Sequence, residues 1–344
     1  MTQESRPTAL ATLDTHVAGE PARIVLNAAE LLRGETPGAR REDLLTRQSW
    51  IRTGLMREPR GHRDMFGVIV VPPSDPATAD VGAVYMEHDG CPMTCGHGTI
   101  GLVSAIIERG IVPGLERADT VRVEAPGAII PVAVNRDARG GLASVVLRQP
   151  AMRVAARPVL PHPERAGETV AAALLQGPTW VLLVEESELG VAIAETATER
   201  LLELVRSLRG SVLAWLETRP SELGADASEA AQHLAGSPIG ILGAPTRDDC
   251  AVRTFVGFGE RSIDRSPCGT AVSALVALRA SDGELAPGDW IGIEAVSGER
   301  FDAAIAEHPA DGNVAAHIRG RGYITGQAEF EFDEADPFAE GFEL

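Results

Sequence analysis

The chain carries an internal repeat, and this feature limits its possible folds more than any other. In the first half, Cys95-Gly96-His97 opens an apolar helical stretch, followed by a Pro-Gly pair and a strand. In the second half, Cys268-Gly269-Thr270 opens a similar stretch, which is again followed by a Pro-Gly pair and a strand. The cysteine-to-proline spacing is 18 residues in the first copy (95 to 113) and 19 in the second (268 to 287). Because a duplicated chain tends to form two pseudo-symmetric halves across a cleft, the repeat predicts two opposed Cys-Gly turns.

Length and periodicity predict two domains of mixed structure. At 344 residues, the chain is longer than one hydrophobic core usually extends. Helical periodicity is clearest at 39–56, 97–109, 195–209 and 269–280, and strand-like runs occupy most of the remaining apolar stretches. This mixture predicts an α+β or α/β fold rather than an all-β one. We expect one domain over 1–155, joined by the tail 325–344, a second over 156–324, and a Pro- and Arg-rich linker within 150–168.

Composition excludes several classes of function. A net charge of −18 argues against nucleic acid as a partner, because that binding depends on neutralising phosphates. No apolar run reaches the roughly 20 residues that cross a bilayer, and the N-terminus lacks a signal-peptide pattern, so we expect a cytoplasmic protein with no membrane partner. The chain contains no lysine. Pyridoxal-phosphate enzymes, which hold their cofactor through a lysine Schiff base, are therefore excluded, and we expect no cofactor.

Both repeat turns place a cysteine where it can do chemistry. Glycine and small residues around Cys95, and Pro267 before Cys268, are typical of helix starts. Unpaired N–H groups and the helix dipole at such a start form an anion site suited to a carboxylate. The same field stabilises a thiolate, lowering the pKa of a cysteine from its free value of about 8.5. Each turn is therefore expected to supply a base and a carboxylate cradle.

The other two cysteines have simpler interpretations. Cys250 falls in a strand-like run and is expected in the core. A zinc site is an alternative use of the first turn, and its ligands would be Cys91, Cys95, His88 and His97. The spacing of the two cysteines tolerates zinc, but no second cysteine pair is close in sequence. We therefore expect no metal.

Two thiols at opposed turns match the chemistry of racemisation. Inverting an α-carbon needs a base on one face and an acid on the other, and a thiolate with a thiol satisfies this need and exchanges roles after each turnover. Amide N–H groups at the substrate carboxylate would stabilise the developing carbanion. Asp264, four residues before Cys268, either orients a substrate ammonium or caps the following helix.

At these residues the chain resembles the proline racemase superfamily, which includes proline racemases, 4-hydroxyproline 2-epimerases and trans-3-hydroxy-L-proline dehydratases. The segments that carry the resemblance are LDTHVAGEP (13–21), EPRGHRDMFG (58–67), CGHGTIG (95–101), FGERSIDRSPCGT (258–270) and GYITGQAEFEFDEADPFAEGF (322–342). The resemblance implies a fold like that of diaminopimelate epimerase, with two similar halves, each a curved sheet around a central helix.

The resemblance also implies roles for individual residues. Cys95 and Cys268 match the two catalytic positions. The other matched positions would bind substrate: Gly96, His97, Gly269 and Thr270 through amides at the carboxylate, His97 and Asp264 at the amine, and Phe66 and Phe258 as walls of an apolar ring pocket. The implied partner is a small imino acid, and the assembly considered is a homodimer.

The same positions bear on the reaction. Dehydratases of the family often carry threonine where this chain has Cys268, so two sulfurs favour racemisation or epimerisation over trans-3-hydroxy-L-proline dehydration. The apolar Phe66 and Phe258 favour an unsubstituted ring. The chain reads CGTAV where relatives usually read CGTGT, which places Ala271 and Val272 near the pocket. A silent imino-acid-binding protein is the third alternative.

Overall fold

Strands dominate the chain, as its alternating β-branched residues predict. The structure is a computed structural model, and it describes residues 9–259, 261–307 and 311–343. Contacts divide the chain into two units: Met1–Leu147 with Arg321–Leu344, and Arg148–Gly320. The C-terminal segment is thus part of the first unit.

In the residues that the structure describes, the first unit begins with seven strands and three helices. They are β1 (Ala9–Val17), β2 (Glu20–Val25), α1 (Pro37–Thr46), α2 (Ser49–Met56), β3 (Phe66–Val71), β4 (Val81–Glu87), α3 (Gly96–Arg109), β5 (Thr120–Ala125), β6 (Ala128–Arg136) and β7 (Leu142–Arg148). A short 3-10 turn, Ala29–Leu31, precedes α1.

The second unit contains ten strands and four helices among the residues that the structure describes. They are β8 (Arg153–Ala156), β9 (Val159–Pro161), β10 (Thr169–Gln176), β11 (Trp180–Glu185), α4 (Glu186–Leu189), α5 (Thr198–Thr218), α6 (Ala227–Leu234), β12 (Ile239–Gly243), β13 (Val252–Phe258), β14 (Ser262–Asp264), α7 (Gly269–Ser281), β15 (Trp290–Glu294), β16 (Arg300–Glu307) and β17 (Ala315–Gly320). Short 3-10 turns cover Ile193–Glu195, Pro220–Glu222 and Gly224–Asp226. A last strand, β18 (Gly322–Glu331), returns to the first unit and pairs antiparallel with β1.

Each unit repeats one order of strands around one helix. In the first, β2 runs parallel to β3, β3 and β4 form an antiparallel pair, and β4 runs parallel to β5. In the second, β11, β12, β13 and β15 repeat this order. The helix that begins after each cysteine, α3 or α7, lies between the last two strands of each series. It packs against the strands of its own unit.

A glutamate that accepts hydrogen bonds from the loop of a neighbouring strand occupies the same place in both copies. Glu124 on β5 accepts a hydrogen bond from the N–H of Ser74, in the loop before β4 (2.6 Å). Glu294 on β15 accepts one from the N–H of Thr246, in the loop before β13 (2.6 Å), and pairs with Arg253 (2.9 Å). The side chain of Glu294 is fully buried, whereas Glu124 is half-buried. The duplication therefore extends from motifs to tertiary hydrogen bonds.

The central helix α3 is buried because it is apolar around most of its circumference. Its packing against β18 depends on two glycines, since a Cβ on Gly322 would lie 3.0 Å from the Cα of Gly101. The N–H of Gly322 donates to the Ser104 hydroxyl at 2.9 Å. This close approach fixes α3 against the strand that brings the C-terminal segment back to the first unit.

Three expectations from the sequence need correction. The helix over 39–56 is two helices, because the backbone leaves the helical conformation at Gln48 (φ −115°, ψ 28°). The side chains of Arg47 and Gln48 both donate hydrogen bonds to the Leu31 carbonyl. The stretch 150–168 is not a plain linker, since it contributes β8 and β9, which both pair with β10. Cys250 lies before β13 and is half-exposed rather than in the core, with Sγ 3.8 Å from Oδ1 of Asp249.

No helix in the described ranges is both long enough and apolar enough to cross a bilayer.

Candidate active site

The first cysteine turn is the N-cap of α3. Cys95 has an extended backbone (φ −146°, ψ 115°), and its sulfur accepts a hydrogen bond from the N–H of Gly98 at 3.4 Å. Its carbonyl accepts hydrogen bonds from the N–H and the hydroxyl of Thr99 (2.9 and 2.7 Å). The thiol is half-buried. Cys95 therefore lies at a helix start, as the sequence predicts, and its sulfur takes the place of the usual capping oxygen.

An imidazole and a phenyl ring lie beside this sulfur. Nδ1 of His97 is 3.5 Å from Sγ of Cys95, and Nε2 is 3.7 Å away. The ring of Phe66, at the start of β3, contacts the His97 ring edge to face with centroids 4.5 Å apart. In the first unit the structure therefore brings together Cys95, Gly96, His97 and Phe66.

Behind the turn, a buried tyrosine holds the first residues of α3. The hydroxyl of Tyr85 lies 2.6 Å from that of Thr99, which in turn donates to the Cys95 carbonyl. Burial raises the pKa of Tyr85, so this phenol remains protonated and donates. This support could not be predicted from the sequence, because β4 carries its tyrosine in an otherwise ordinary apolar run.

We expect Gly98→Ala to impair activity more than stability. A Cβ at Gly98 would lie 3.1 Å from Sγ of Cys95 and 3.2 Å from Cγ2 of Val68, so the sulfur must shift. A shift of a few tenths of an ångström is expected to lower kcat about tenfold. Gly101→Ala is the matched control on the same helix, since its Cβ would meet the Thr15 hydroxyl at 2.8 Å and not the sulfur. The control should lower the melting temperature with a near-normal kcat, and equal loss of kcat in both variants would contradict the assignment.

The second cysteine turn has a different backbone. Cys268 is the N-cap of α7 with φ 63° and ψ 111°, a left-handed value that residues with a side chain rarely adopt. Its thiol is buried against Val256 and Ala271. Ala271, one of the two residues expected near the pocket, therefore packs with Cys268.

Asp264 lies against this cysteine in a fixed position. Its Oδ1 accepts hydrogen bonds from the N–H of Ser266 (2.9 Å) and from the Ser266 hydroxyl (2.6 Å). The same hydroxyl accepts a hydrogen bond from the N–H of Cys268 at 3.1 Å. Asp264 and Ser266 are both buried. Asp264 therefore braces the turn through Ser266 and does not cap α7 directly. Ser266 was not among the predicted site residues, although Asp-x-Ser spacing is typical of an Asx turn.

The expectation of a low thiol pKa fails at Cys268. Burial, and then the charge of Asp264, raise the pKa of Cys268 well above its ordinary value of 9.0. The N–H groups of Ala271 and Thr270 at the start of α7 oppose this rise but do not cancel it. Cys268 therefore holds its proton at neutral pH, because desolvation outweighs the helix-terminus field here.

We expect Asp264→Asn to make Cys268 more reactive towards iodoacetamide. The amide keeps an oxygen for Ser266 but loses the charge, and each unit by which the pKa falls gives about tenfold more thiolate. In the wild type, labelling of Cys268 should rise only above pH 9, since its raised pKa keeps the thiol protonated below that. The rate is followed by peptide mass spectrometry across pH 6 to 10.

Asp249→Asn is the control for this experiment, because Asp249 is an exposed carboxylate beside Cys250. Burial, and next the Asp249 charge, raise the pKa of Cys250. The control should speed labelling at Cys250 alone. Unchanged labelling of Cys268 in Asp264→Asn would show that the carboxylate does not act on that thiol.

Two further side chains border the start of α7. Phe258 lies two residues beyond Val256 on β13, so both point to the same face of the strand. A Cβ on Gly269 would lie 3.5 Å from Nε2 of Gln149, at an ordinary contact distance. Gln149 was not predicted from the sequence, because it lies more than a hundred residues before the helix that it borders. In the second unit the structure brings together Cys268, Gly269, Thr270 and Asp264, with Phe258 on the neighbouring strand.

The zinc alternative does not match the arrangement of the described residues. Cys91 is buried in the apolar core of the first unit, and burial raises its pKa to about 11. Within the described ranges, three ligand atoms come close together only at His88, Asp89 and Glu343, a set without sulfur at the protein surface.

Comparison with known proteins gives the same family across the chain. The sequence model described as proline racemase matches residues 12–343. The chain is 33% identical over 341 residues to a proline racemase of Clostridioides difficile, covering 96% of this chain and 97% of that protein. It is also 33% identical over 338 residues to a 4-hydroxyproline 2-epimerase of Ancylobacter novellus, with the same coverage.

Solved structures share the fold. A hydroxyproline epimerase from Agrobacterium vitis with bound trans-4-hydroxy-L-proline superposes with a TM-score of 0.78 at 22% identity, covering 99% of this chain and 96% of that one. A PhzF-family protein from Bacillus anthracis gives a TM-score of 0.63 at 15% identity, covering 94% and 99%. These likenesses confirm the predicted diaminopimelate-epimerase-like fold. The chain belongs to the proline racemase family, an isomerase family.

Proposed function

We propose that this protein inverts the α-carbon of proline or a hydroxyproline, using Cys95 and Cys268 as its two acid–base groups. The observation that carries the proposal is that each copy of the repeat has a cysteine at the N-cap of its central helix. The mechanism requires both sulfurs to act on one α-carbon. This requirement is chemical, and the experiments below test it.

The two thiols are suited to different starting roles. Cys95 acts first as base, since its sulfur already accepts a hydrogen bond from Gly98. Cys268 acts first as acid, since burial and Asp264 raise its pKa and keep its proton in place. A proton leaves the α-carbon for one sulfur, and the other sulfur returns a proton to the opposite face. The electron pair rests meanwhile on the carboxylate as an enolate-like carbanion.

Helix starts provide the electrostatic stabilisation that this carbanion needs. Gly96 and His97 lie in the first turn of α3, and Gly269 and Thr270 lie in the first turn of α7. N–H groups in the first turn of a helix receive no carbonyl from their own helix and can bind an anion. We assign them to the substrate carboxylate. Preorganised donors of this kind are each worth about 10²–10³ in rate where measured. The chemistry needs no metal or organic cofactor.

The remaining predicted residues are assigned to the amine and ring. His97 and Asp264, each beside one of the cysteines, would meet the substrate amine. Phe66 and Phe258 would wall the pyrrolidine ring, which favours proline over a hydroxylated ring. The relatives named above act on proline or hydroxyproline, which supports this substrate class.

A screen of three substrates tests the proposal. L-Proline, trans-4-hydroxy-L-proline and trans-3-hydroxy-L-proline are incubated in heavy water and followed by polarimetry and by loss of the α-proton signal. We expect inversion and exchange with proline or 4-hydroxyproline. A trapped ketimine from trans-3-hydroxy-L-proline without inversion of any substrate would indicate a lyase instead. Tight binding of pyrrole-2-carboxylate, a planar mimic of the carbanion, without turnover of any substrate would indicate a silent binding protein.

A further inference from the structure

The backbone of Cys268 is held in a conformation that costs free energy. Among the described residues that are not glycine, only Cys268 and Ala18 have a positive φ (63° and 51°). A side chain at such a φ crowds the adjacent carbonyl, so the conformation persists only where surrounding contacts hold it. Strained residues of this kind cluster at functional sites.

One hydroxyl supplies the holding contacts. The Ser266 hydroxyl donates to Oδ1 of Asp264 at 2.6 Å and accepts from the N–H of Cys268 at 3.1 Å. The side chain is almost completely buried, at 1% exposure. It therefore joins a buried carboxylate to a residue whose backbone is strained, and water is not available to replace it.

The first copy of the repeat has no serine hydroxyl at the equivalent position. Cys95 has an ordinary extended φ of −146°, and its sulfur itself caps α3. The residue two positions before it is Met93, which is exposed and has no hydroxyl. Cys268 makes no such side-chain cap. The serine is thus specific to the turn in which the cysteine backbone has left its usual conformation.

We propose that Ser266 is a positioning residue, whose hydroxyl holds Cys268 in its left-handed backbone conformation and so directs the sulfur towards Asp264 and the first amides of α7. The inference rests on the proposed function, because the direction of the sulfur matters for activity only if Cys268 is an acid–base group. Without the hydroxyl, the N–H of Cys268 loses its acceptor and Asp264 loses a donor. The backbone then relaxes towards negative φ, and the sulfur turns away.

The first test compares Ser266→Ala with Ser266→Thr, which keeps the hydroxyl. We expect Ser266→Ala to lower kcat about 10- to 100-fold, because a misplaced reacting group costs about this much, while KM changes less than threefold. The rate of iodoacetamide labelling at Cys268 should differ from that in the wild type. Labelling of Cys95 in the same sample is the internal standard. Ser266→Thr should restore both values to near wild type. Wild-type kcat and wild-type Cys268 labelling in Ser266→Ala would overturn the proposal.

The second test measures strain without activity. Cys268→Ala and Cys268→Gly are compared by thermal unfolding, each alone and combined with Ser266→Ala. Glycine at φ 63° escapes the strain, so the glycine variant should melt at or above the alanine variant when Ser266 is present. In the Ser266→Ala background the alanine variant should melt about 2 °C or more above the glycine variant. The relaxed backbone no longer favours glycine, which loses more conformational entropy on folding than alanine does. An alanine variant that is the more stable in both backgrounds would contradict the proposal.

The two tests separate this inference from the proposed function. If Cys268→Ala retains racemase activity, Cys268 is not an acid–base group and the proposed function fails, whatever the melting temperatures. If Cys268→Ala is inactive but Ser266→Ala behaves as wild type in labelling, rate and strain, only the role of Ser266 fails.

Discussion

Cys268→Ser and Cys95→Ser are each expected to lower the rate of racemisation by about 10²- to 10⁴-fold, the usual contribution of a positioned acid or base. A serine hydroxyl keeps the shape of the site but gives up its proton far less readily than a thiol. Both variants should fold, since Cys95 is half-buried and the change from sulfur to oxygen at Cys268, which packs with Val256 and Ala271, is small. The rate is followed by polarimetry with each enantiomer of the active substrate.

Cys250→Ser is the matched control for this pair. Cys250 is also a half-buried free thiol, but it lies in the loop before β13 and contacts Asp249 rather than a helix start. Its replacement should leave the rate unchanged. A variant at Cys95 or Cys268 that retained a third of wild-type activity would contradict a role for that sulfur in proton transfer.

Glu294→Gln is expected to lower the free energy of unfolding by about 3–5 kcal/mol, the cost of leaving a buried charge without its partner. The carboxylate is fully buried and pairs with Arg253, whose side chain is 13% exposed. It also accepts hydrogen bonds from the N–H groups of Thr246 and Arg247. The amide would keep the shape but lose the charge. Urea unfolding at neutral pH measures the change.

The first copy of the repeat supplies the control. Glu124 occupies the equivalent strand position, but it is half-buried and holds the exposed Ser74. Glu124→Gln should cost only about 1 kcal/mol, because water replaces much of what is lost. Equal decreases in the free energy of unfolding at the two positions would show that burial of the ion pair does not determine the contribution of Glu294 to stability.

Much of the fold could be predicted from the sequence because the repeat and the periodicity are local signals. The apolar residues of α3 and α7 recur around the whole helix, so both were predicted within one residue of their starts. β8 and β9 could not be found in this way. They have four and three residues, Pro158 separates them, and their pairing with β10 is a property of the folded chain.

Less of the candidate site could be predicted. The Cys-Gly motifs identified both turns, but the position of each cysteine at a helix start predicts two activated thiols. Burial of Cys268 and the charge of Asp264 reverse that conclusion for one of them. Neither the sign of φ at Cys268 nor the role of Ser266 follows from the letters DRSPCGT, because both depend on which groups the fold buries together.

The position of deuterium at early times tests the central claim most directly. L-Proline, or the hydroxyproline that proves active, is incubated with the wild-type enzyme in heavy water and stopped at a few per cent conversion. Both enantiomers are then separated and analysed by mass spectrometry. With two thiols, the sulfur opposite the departing proton supplies a deuteron, so the account predicts deuterium in the product enantiomer and almost none in recovered substrate. Deuterium entering recovered substrate as fast as product forms would show that one group serves both faces, and would contradict the account.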